Sequence, residues 1–286
     1  MTPRVGRTTI SLTCAGLIVI IVVTAGLRTY IAVSWRFAAA AILTWFFLMM
    51  WLSRLRGEVS TADESELAPI SPATIVTIAR GFLISLIAGC AFIPNPRGAV
   101  LWLPGVLYTL AALADRADGA LARRTGITTL GARLDVAMDA VGLLVAPLVG
   151  VLWGRLPPWY LTVACAYPAF RGGLELRRAA GRPVFPERLA PDPRARFFAG
   201  VQMTVVAASL LPVLPRFVTW TAATLAMLPT LALFAGEWRV ATRSAPDGSA
   251  PAQRLGFRVS RGLSCPVWDS ARTTHSQASR LSGSLR

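Results

Sequence analysis

Long apolar runs separated by short polar segments dominate the chain. An apolar stretch of about 20 residues can cross a bilayer as a helix. Backbone polar groups in lipid must be paired within the segment, so such runs favour helices. We therefore predict an all-α polytopic membrane protein with eight spans, at about 10–27, 37–52, 74–93, 99–113, 130–153, 159–176, 197–214 and 217–235.

The first run has two interpretations. Val23-Thr24-Ala25 resembles the small-residue site at which a signal peptide is cleaved. We favour a retained helix, because the run is long and another follows at once. Together the first two runs would form an N-terminal hairpin.

Changes in composition divide the chain into three parts. The segment 53–71 is charged and ends in prolines, which is typical of a linker. The segment after the last run is rich in Ser, Arg and Gly and lacks a helical period. We predict a transmembrane hairpin with its linker (1–71), a six-span catalytic core (72–237) and a disordered cytoplasmic tail (238–286).

Composition excludes an ordinary soluble domain, since 54% of the 286 residues are hydrophobic and only 15% are charged. The net charge of +15 comes from arginine alone. These arginines flank apolar runs, so we expect anionic lipid headgroups as partners and no nucleic acid. With eight spans, 22 arginines fall on one side and five on the other. The positive-inside rule makes the richer side cytoplasmic, in an inner (plasma) membrane.

Four carboxylates lie where the fourth and fifth spans meet. Asp115 and Asp118 are spaced i, i+3, and Asp135 and Asp139 are spaced i, i+4, so each pair shares a helix face. Carboxylates near lipid are costly, and a cluster of them repels itself unless cations lie between. Oxygen ligands suit Mg²⁺ or Mn²⁺. We predict a two-metal site at the cytoplasmic surface, beside a polar turn at 116–129.

The complete pattern has eight fixed positions, Asp115-x2-Asp118-Gly119-x2-Ala122-Arg123-x7-Gly131-x3-Asp135-x3-Asp139. It resembles the signature of the class I CDP-alcohol phosphatidyltransferase family at every fixed position, and the resemblance covers about 74–237. It implies a six-helix core that transfers a phosphatidyl group from CDP-diacylglycerol to an alcohol acceptor in phospholipid biosynthesis, with release of CMP.

The resemblance also implies roles for single residues. The metal ligands would be Asp115, Asp118, Asp135 and Asp139, with Asp139 also acting as the general base. From the residues alone, any of the four could be that base. The residues expected to bind the CDP moiety are Asp118, Gly119, Ala122, Arg123 and Gly131, with a weaker upstream match at Thr77 and Arg80.

The acceptor is less well indicated. A phosphorylated polyol such as glycerol 3-phosphate would need cations, and the ends of the sixth and seventh spans carry Arg171, Arg177, Arg194 and Arg196. Their alternative role is to enforce topology. The lysine-containing pattern of phosphatidylglycerophosphate synthases is absent, with a displaced Gln202 instead, so the sequence does not fix the acceptor.

Other interpretations of the carboxylates are a prenyltransferase of the UbiA type, a transporter and an inactive family member. The Asp-Gly-x2-Ala-Arg core argues against the first. Transporters place ionisable groups near the bilayer midplane on separated helices, which argues against the second. The presence of all four aspartates argues against the third. The small residues in the helices would permit a homodimer.

Overall fold

The computed structural model describes residues 3–30, 35–62, 72–94, 96–125, 129–182, 184 and 193–242. These parts form eight α-helices and two short 3-10 helices, with no strand among them, so the predicted all-α fold is confirmed. The α-helices are α1 (Pro3–Tyr30), α2 (Trp35–Ala62), α3 (Pro72–Cys90), α4 (Leu103–Thr125), α5 (Thr129–Leu152), α6 (Leu161–Ala179), α7 (Pro193–Leu210) and α8 (Arg216–Thr242). The 3-10 helices are Gly98–Trp102 and Pro158–Tyr160.

Six of the described helices, α1 to α5 and α8, are long and apolar enough to cross a membrane. The chain is therefore a multi-pass membrane protein. The predicted spans at 159–176 and 197–214 form helices but do not meet the same criteria. In α7 only Phe197–Leu210 is apolar. The last turns of α6 carry four charged side chains, Arg171, Glu175, Arg177 and Arg178.

Several helices extend further than the apolar runs indicated, among them α1, which begins at Pro3, and α8, which continues to Thr242. Helix α2 continues to Ala62, and α4 continues to Thr125. The prediction of a polar turn at 116–129 is therefore wrong for most of that segment. Beyond Asp115, the residues of α4 are mainly Ala, Leu and Arg. All three favour a helix, although the arginines are polar and do not extend the apolar run. Asp115 and Asp118 consequently lie within α4 and not after it.

The N-terminal hairpin packs directly on the helices that follow. The Trp45 indole of α2 donates a hydrogen bond of 3.2 Å to the Thr13 carbonyl of α1. Helix α2 also shares one buried cluster with α3 and α5, whose members include Leu48, Leu52, Ile78, Leu134 and Met138. The domain boundaries themselves stay a prediction. Residues 238–242, which were predicted to be part of the disordered tail, form the end of α8, and the tail beyond residue 242 lies outside the described residues.

A second buried cluster joins α3, α4, α5, α7 and α8. Its members include Ile87, Tyr108, Val149, Val206 and Met227. The end of α5 is fixed to the end of α3, because the Trp153 indole donates a 3.0 Å hydrogen bond to the Cys90 carbonyl. The beginnings of α3 and α5 also lie at one end of the bundle, beside the end of α4, because Arg80 of α3 contacts Asp115 of α4 and Asp135 of α5.

Candidate active site

A buried arginine lies at the centre of the carboxylate group. Arg80 of α3 is 3% exposed. Its Nη1 donates to Asp115 of α4. Its Nη2 lies 2.8 Å from Asp135 Oδ1 and 3.1 Å from Asp139 Oδ1, both on α5. The same nitrogen donates to the Asp135 carbonyl at 3.2 Å. Three helices therefore converge on one guanidinium.

Helical spacing explains how the carboxylates come together. Asp135 and Asp139 are one turn apart and share a face of α5, and α4 brings Asp115 to the same point. One ligand oxygen from each of these three residues lies within 4.8 Å of the other two. Their side chains are 31–41% exposed, so solvent reaches the cluster from one side. The side chain of the fourth predicted ligand, Asp118, lies outside the described parts.

The donor set fits a divalent cation. Oxygen ligands at 2.0–2.6 Å from one ion can be up to about 5 Å apart, which accommodates the observed separations. Three carboxylates against one guanidinium also leave an excess of negative charge that a cation would offset. The described residues supply ligands for one ion. A second ion would need Asp118 or substrate oxygens, so the two-metal arrangement stays a prediction.

A small cavity adjoins the cluster. Its volume is about 30 Å³, enough for a water-sized group. Its polar lining residues are Arg80, Tyr108, Asp115 and Asp139. Tyr108 is 6% exposed, and it belongs to none of the motifs found in the sequence. Its position seven residues before Asp115, two turns away on the same face of α4, was the available signal.

The structure describes the residues predicted to bind CDP unevenly. Thr77 is buried one turn before Arg80, and its hydroxyl donates to the Ala73 carbonyl at 3.2 Å. Gly119 of α4 and Gly131 of α5 are half-buried. Ala122 and Arg123 lie in the last turns of α4, and their side chains are outside the described parts. Their contacts with a nucleotide stay a prediction.

The four arginines predicted to bind an acceptor phosphate lie on α6 and α7. Arg177 is half-buried at the end of α6, and Arg194 is exposed at the start of α7. Neither lines the small cavity beside the carboxylates. The neighbouring Arg178 pairs with Glu175 at 2.7 Å. The side chains of Arg171 and Arg196 lie outside the described parts.

Comparison with known proteins gives one match. A search of curated proteins and a search of solved structures each found no significant match. The family model for CDP-alcohol phosphatidyltransferase matches residues 70–231, which is more than half of the chain and contains all four aspartates. This chain therefore belongs to the CDP-alcohol phosphatidyltransferase family, membrane phosphotransferases of phospholipid biosynthesis that act on substituted phosphate groups.

Proposed function

We propose that the protein transfers the phosphatidyl group of CDP-diacylglycerol to an alcohol and releases CMP. The convergence of Asp115, Asp135 and Asp139 on Arg80, within the family-matching region, carries this proposal. The family match favours phosphatidyl transfer over a prenyltransferase or a transporter. Arginine asymmetry supports an active site that faces the cytoplasm.

The donor would bind through its diphosphate. Mg²⁺ or Mn²⁺ would be held by Asp115, Asp118, Asp135 and Asp139. Bound there, the cation would neutralise diphosphate charge and stabilise the departing CMP. The remaining contacts would come from the end of α4 and the start of α5. A glycine admits a ligand close to the backbone because it has no side chain. The proposed nucleotide contacts are Gly119, Ala122, Arg123, Gly131 and Thr77.

Asp139 is the proposed general base. Its contact with Arg80 is longer than that of Asp135, and its side chain lines the small cavity. In the proposed step the acceptor oxygen forms a bond with the β-phosphorus of CDP-diacylglycerol. The bond between this phosphorus and the bridging oxygen breaks, and CMP leaves with the electron pair. The hydroxyl proton passes to the Asp139 carboxylate.

Arg80 has a proposed positioning role besides any contact with the diphosphate. A buried guanidinium that touches three carboxylates fixes their side chains and lowers their mutual repulsion. Its Nε is buried without a hydrogen-bond partner among the described residues, so its known bonds all run through the two terminal nitrogens. The bidentate geometry of arginine suits this task better than a lysine would.

Product analysis with purified protein tests the proposal. CDP-diacylglycerol, Mg²⁺ or Mn²⁺ and a panel of alcohols are supplied together. CMP and the lipid product are then identified by mass spectrometry. We expect equal amounts of CMP and a phosphatidyl alcohol, and no turnover after chelation of the metal. No release of CMP with any alcohol would contradict the proposed function, and so would release of diphosphate from a prenyl diphosphate supplied in a parallel reaction.

A further inference from the structure

A buried tyrosine of α4 shares the small cavity with the carboxylate cluster. Tyr108 is 6% exposed, and it lines the cavity together with Arg80, Asp115 and Asp139. Those three residues have roles in the proposed function, and Tyr108 has none. A buried tyrosine hydroxyl usually has a hydrogen-bond partner, because burial of an unpaired polar group is costly. The hydroxyl of Tyr108 therefore needs a partner at this cavity.

Helix α4 forms one wall of the cavity. Its lining residues are spaced i, i+3, i+4 and i+7, so they share one face of the helix: Tyr108, Ala111, Ala112 and Asp115. Helix α5 contributes Asp139 to the same cavity. Tyr108 and the proposed general base thus border one space from two different helices.

The hydroxyl end of Tyr108 lies towards the charged residues of the cavity. The charges of Asp139, Asp115 and Arg80 all act on this hydroxyl. It makes no hydrogen bond with any residue that the structure describes. The nearby Tyr160 differs, because its hydroxyl donates to Gln202. The Tyr108 hydroxyl can therefore still donate a hydrogen bond to a group that enters the cavity.

The size of the cavity restricts what that group can be. A volume of about 30 Å³ suits a water molecule or a single hydroxyl group. The diphosphate of the donor is much larger, and its proposed place is at the metal ligands. A general base has to lie within hydrogen-bond reach of the hydroxyl from which it takes a proton. The acceptor hydroxyl therefore fits this cavity beside Asp139.

We propose that the Tyr108 hydroxyl donates a hydrogen bond to the acceptor oxygen and so orients this oxygen between Asp139 and the β-phosphorus of the donor. This inference rests on the proposed function and adds a residue that contacts the acceptor. The acceptor oxygen carries two lone pairs and one proton. One lone pair receives the hydrogen bond from Tyr108, the other forms the bond with phosphorus, and the proton passes to Asp139. Tyr108 keeps its own proton throughout.

The competing role for Tyr108 is packing alone. Its ring belongs to a buried cluster that also contains Ile87 and Val149. Packing explains the burial of the ring but not the hydroxyl beside the charged residues. A phenylalanine would fill the same space without the cost of burying a polar group.

Tyr108→Phe tests the hydrogen bond, since it removes one oxygen atom and keeps the ring. Purified protein in mixed micelles receives CDP-diacylglycerol and Mn²⁺ with one acceptor at a time: glycerol 3-phosphate, inositol phosphate, glycerol or a long-chain primary alcohol. For each acceptor that the unaltered protein uses, we expect kcat/KM to fall about tenfold, the effect of one lost hydrogen bond. The affinity for CDP-diacylglycerol, measured by equilibrium binding without an acceptor, should stay unchanged.

Tyr160→Phe is the matched control for the loss of a buried hydroxyl. Tyr160 does not line the small cavity, and it borders a second, mostly apolar cavity of about 460 Å³. We expect kcat/KM for every acceptor to equal that of the unaltered protein, although the loss of the bond to Gln202 should lower the melting temperature.

A second pair of variants tests the cavity independently of Tyr108. Ala112→Val narrows the cavity from a half-buried position of α4. We expect kcat/KM for the acceptor to fall at least about tenfold, with unchanged affinity for CDP-diacylglycerol. Ala114→Val is the control, because Ala114 is also half-buried on α4 and does not line the cavity.

The outcomes separate this inference from the proposed function. An unchanged kcat/KM in Tyr108→Phe, with an active unaltered protein, would overturn the inference and leave the proposed function intact. Weaker binding of CDP-diacylglycerol would also overturn it, because it would show a donor contact or a disturbed site. If Tyr108→Phe does not fold, Ala112→Val decides the question, and an unchanged kcat/KM there would overturn the inference. No release of CMP by the unaltered protein with any of the four acceptors would overturn both.

Discussion

The two sides of α5 differ in chemistry and in how the sequence builds them. Towards α3 and α4, Asp135 and Asp139 meet a buried arginine and a third carboxylate. Towards α6, α7 and α8, Ala140 and Pro147 line an apolar cavity. The carboxylates come from a short motif, whereas the cavity wall is drawn from residues spread over five α-helices and one 3-10 helix. One helix therefore presents charged groups on one side and an apolar cavity wall on the other.

Removal of the proposed base, on the carboxylate side of α5, should have the largest effect on activity. We expect Asp139→Asn to lower the rate of CMP release by about 10²–10⁴-fold, because the variant can neither accept the hydroxyl proton nor offer a charged ligand. Glu175→Gln is the matched control, since it removes a carboxylate that lies on α6. Rates of CMP release by the purified variants provide the measurement. Equal rates for Asp139→Asn and the unaltered protein would refute the role of Asp139.

Removal of the central cation should mainly affect stability. Arg80→Gln leaves three close carboxylates without their buried partner, and we expect a loss of about 3–5 kcal/mol in the free energy of unfolding. Mn²⁺ should restore part of this loss, because it replaces the missing positive charge.

The control for Arg80 is Arg178→Gln, which breaks the exposed pair with Glu175 and should change stability by no more than about 1 kcal/mol. Thermal unfolding in detergent, with and without Mn²⁺, gives the comparison. Similar stabilities for the two variants would mean that Arg80 does not hold the carboxylates together.

The N-terminal hairpin should stabilise the carboxylate side of α5 by packing against it. Leu48 of α2 is fully buried in the cluster that contains Met138, the residue before Asp139. Leu48→Ala should lower the free energy of unfolding by about 2–5 kcal/mol. Leu43→Ala on the same helix is the control, because Leu43 is 68% exposed and should change stability by less than about 0.5 kcal/mol. If unfolding experiments show equal stabilities, the hairpin is not part of the core.

The smallest expected effect concerns the contact between α4 and α7. A Cβ added at Gly105 of α4 would lie 2.9 Å from the backbone carbonyl group of Leu210 on α7. Gly105→Ala should therefore destabilise the protein by about 1–3 kcal/mol. At Gly200 an added Cβ meets nothing within 4 Å. Gly200→Ala should instead stabilise α7 by up to about 1 kcal/mol, through helix propensity alone. The same sign for both changes in thermal unfolding would contradict the close approach of α4 and α7.

The sequence was most informative where ionisable residues are spaced at the helical period. The spacing of Asp135 and Asp139 placed them on one face of a helix, and the structure brings both to Asp115. The ends of helices were harder to predict, because hydropathy marks the limits of lipid burial and not the limits of helical hydrogen bonding. This is why α4 continues past Asp115 to Thr125, where the sequence suggested a turn.

Most contacts between helices that are distant in the sequence could not be predicted from it. The sequence linked Arg80 only weakly to the site, since nothing local shows that α3 lies beside the ends of α4 and α5. The bonds of Gln202 to Tyr160 and Thr230 depend in the same way on how three helices pack. The charged end of α6 also shows that a helix can belong to the core without an apolar run of full spanning length.

Oxygen labelling of the acceptor tests the central claim most directly, because it reports which bonds form at the carboxylate cluster. The protein is supplied with CDP-diacylglycerol, Mn²⁺ and an acceptor whose hydroxyl oxygen is ¹⁸O. We predict that all the label appears in the phosphodiester of the phosphatidyl product and that CMP is unlabelled, as attack on the β-phosphorus requires. Label in a cytidylyl ester, formed together with phosphatidic acid, would show attack on the α-phosphorus and would contradict the proposed mechanism.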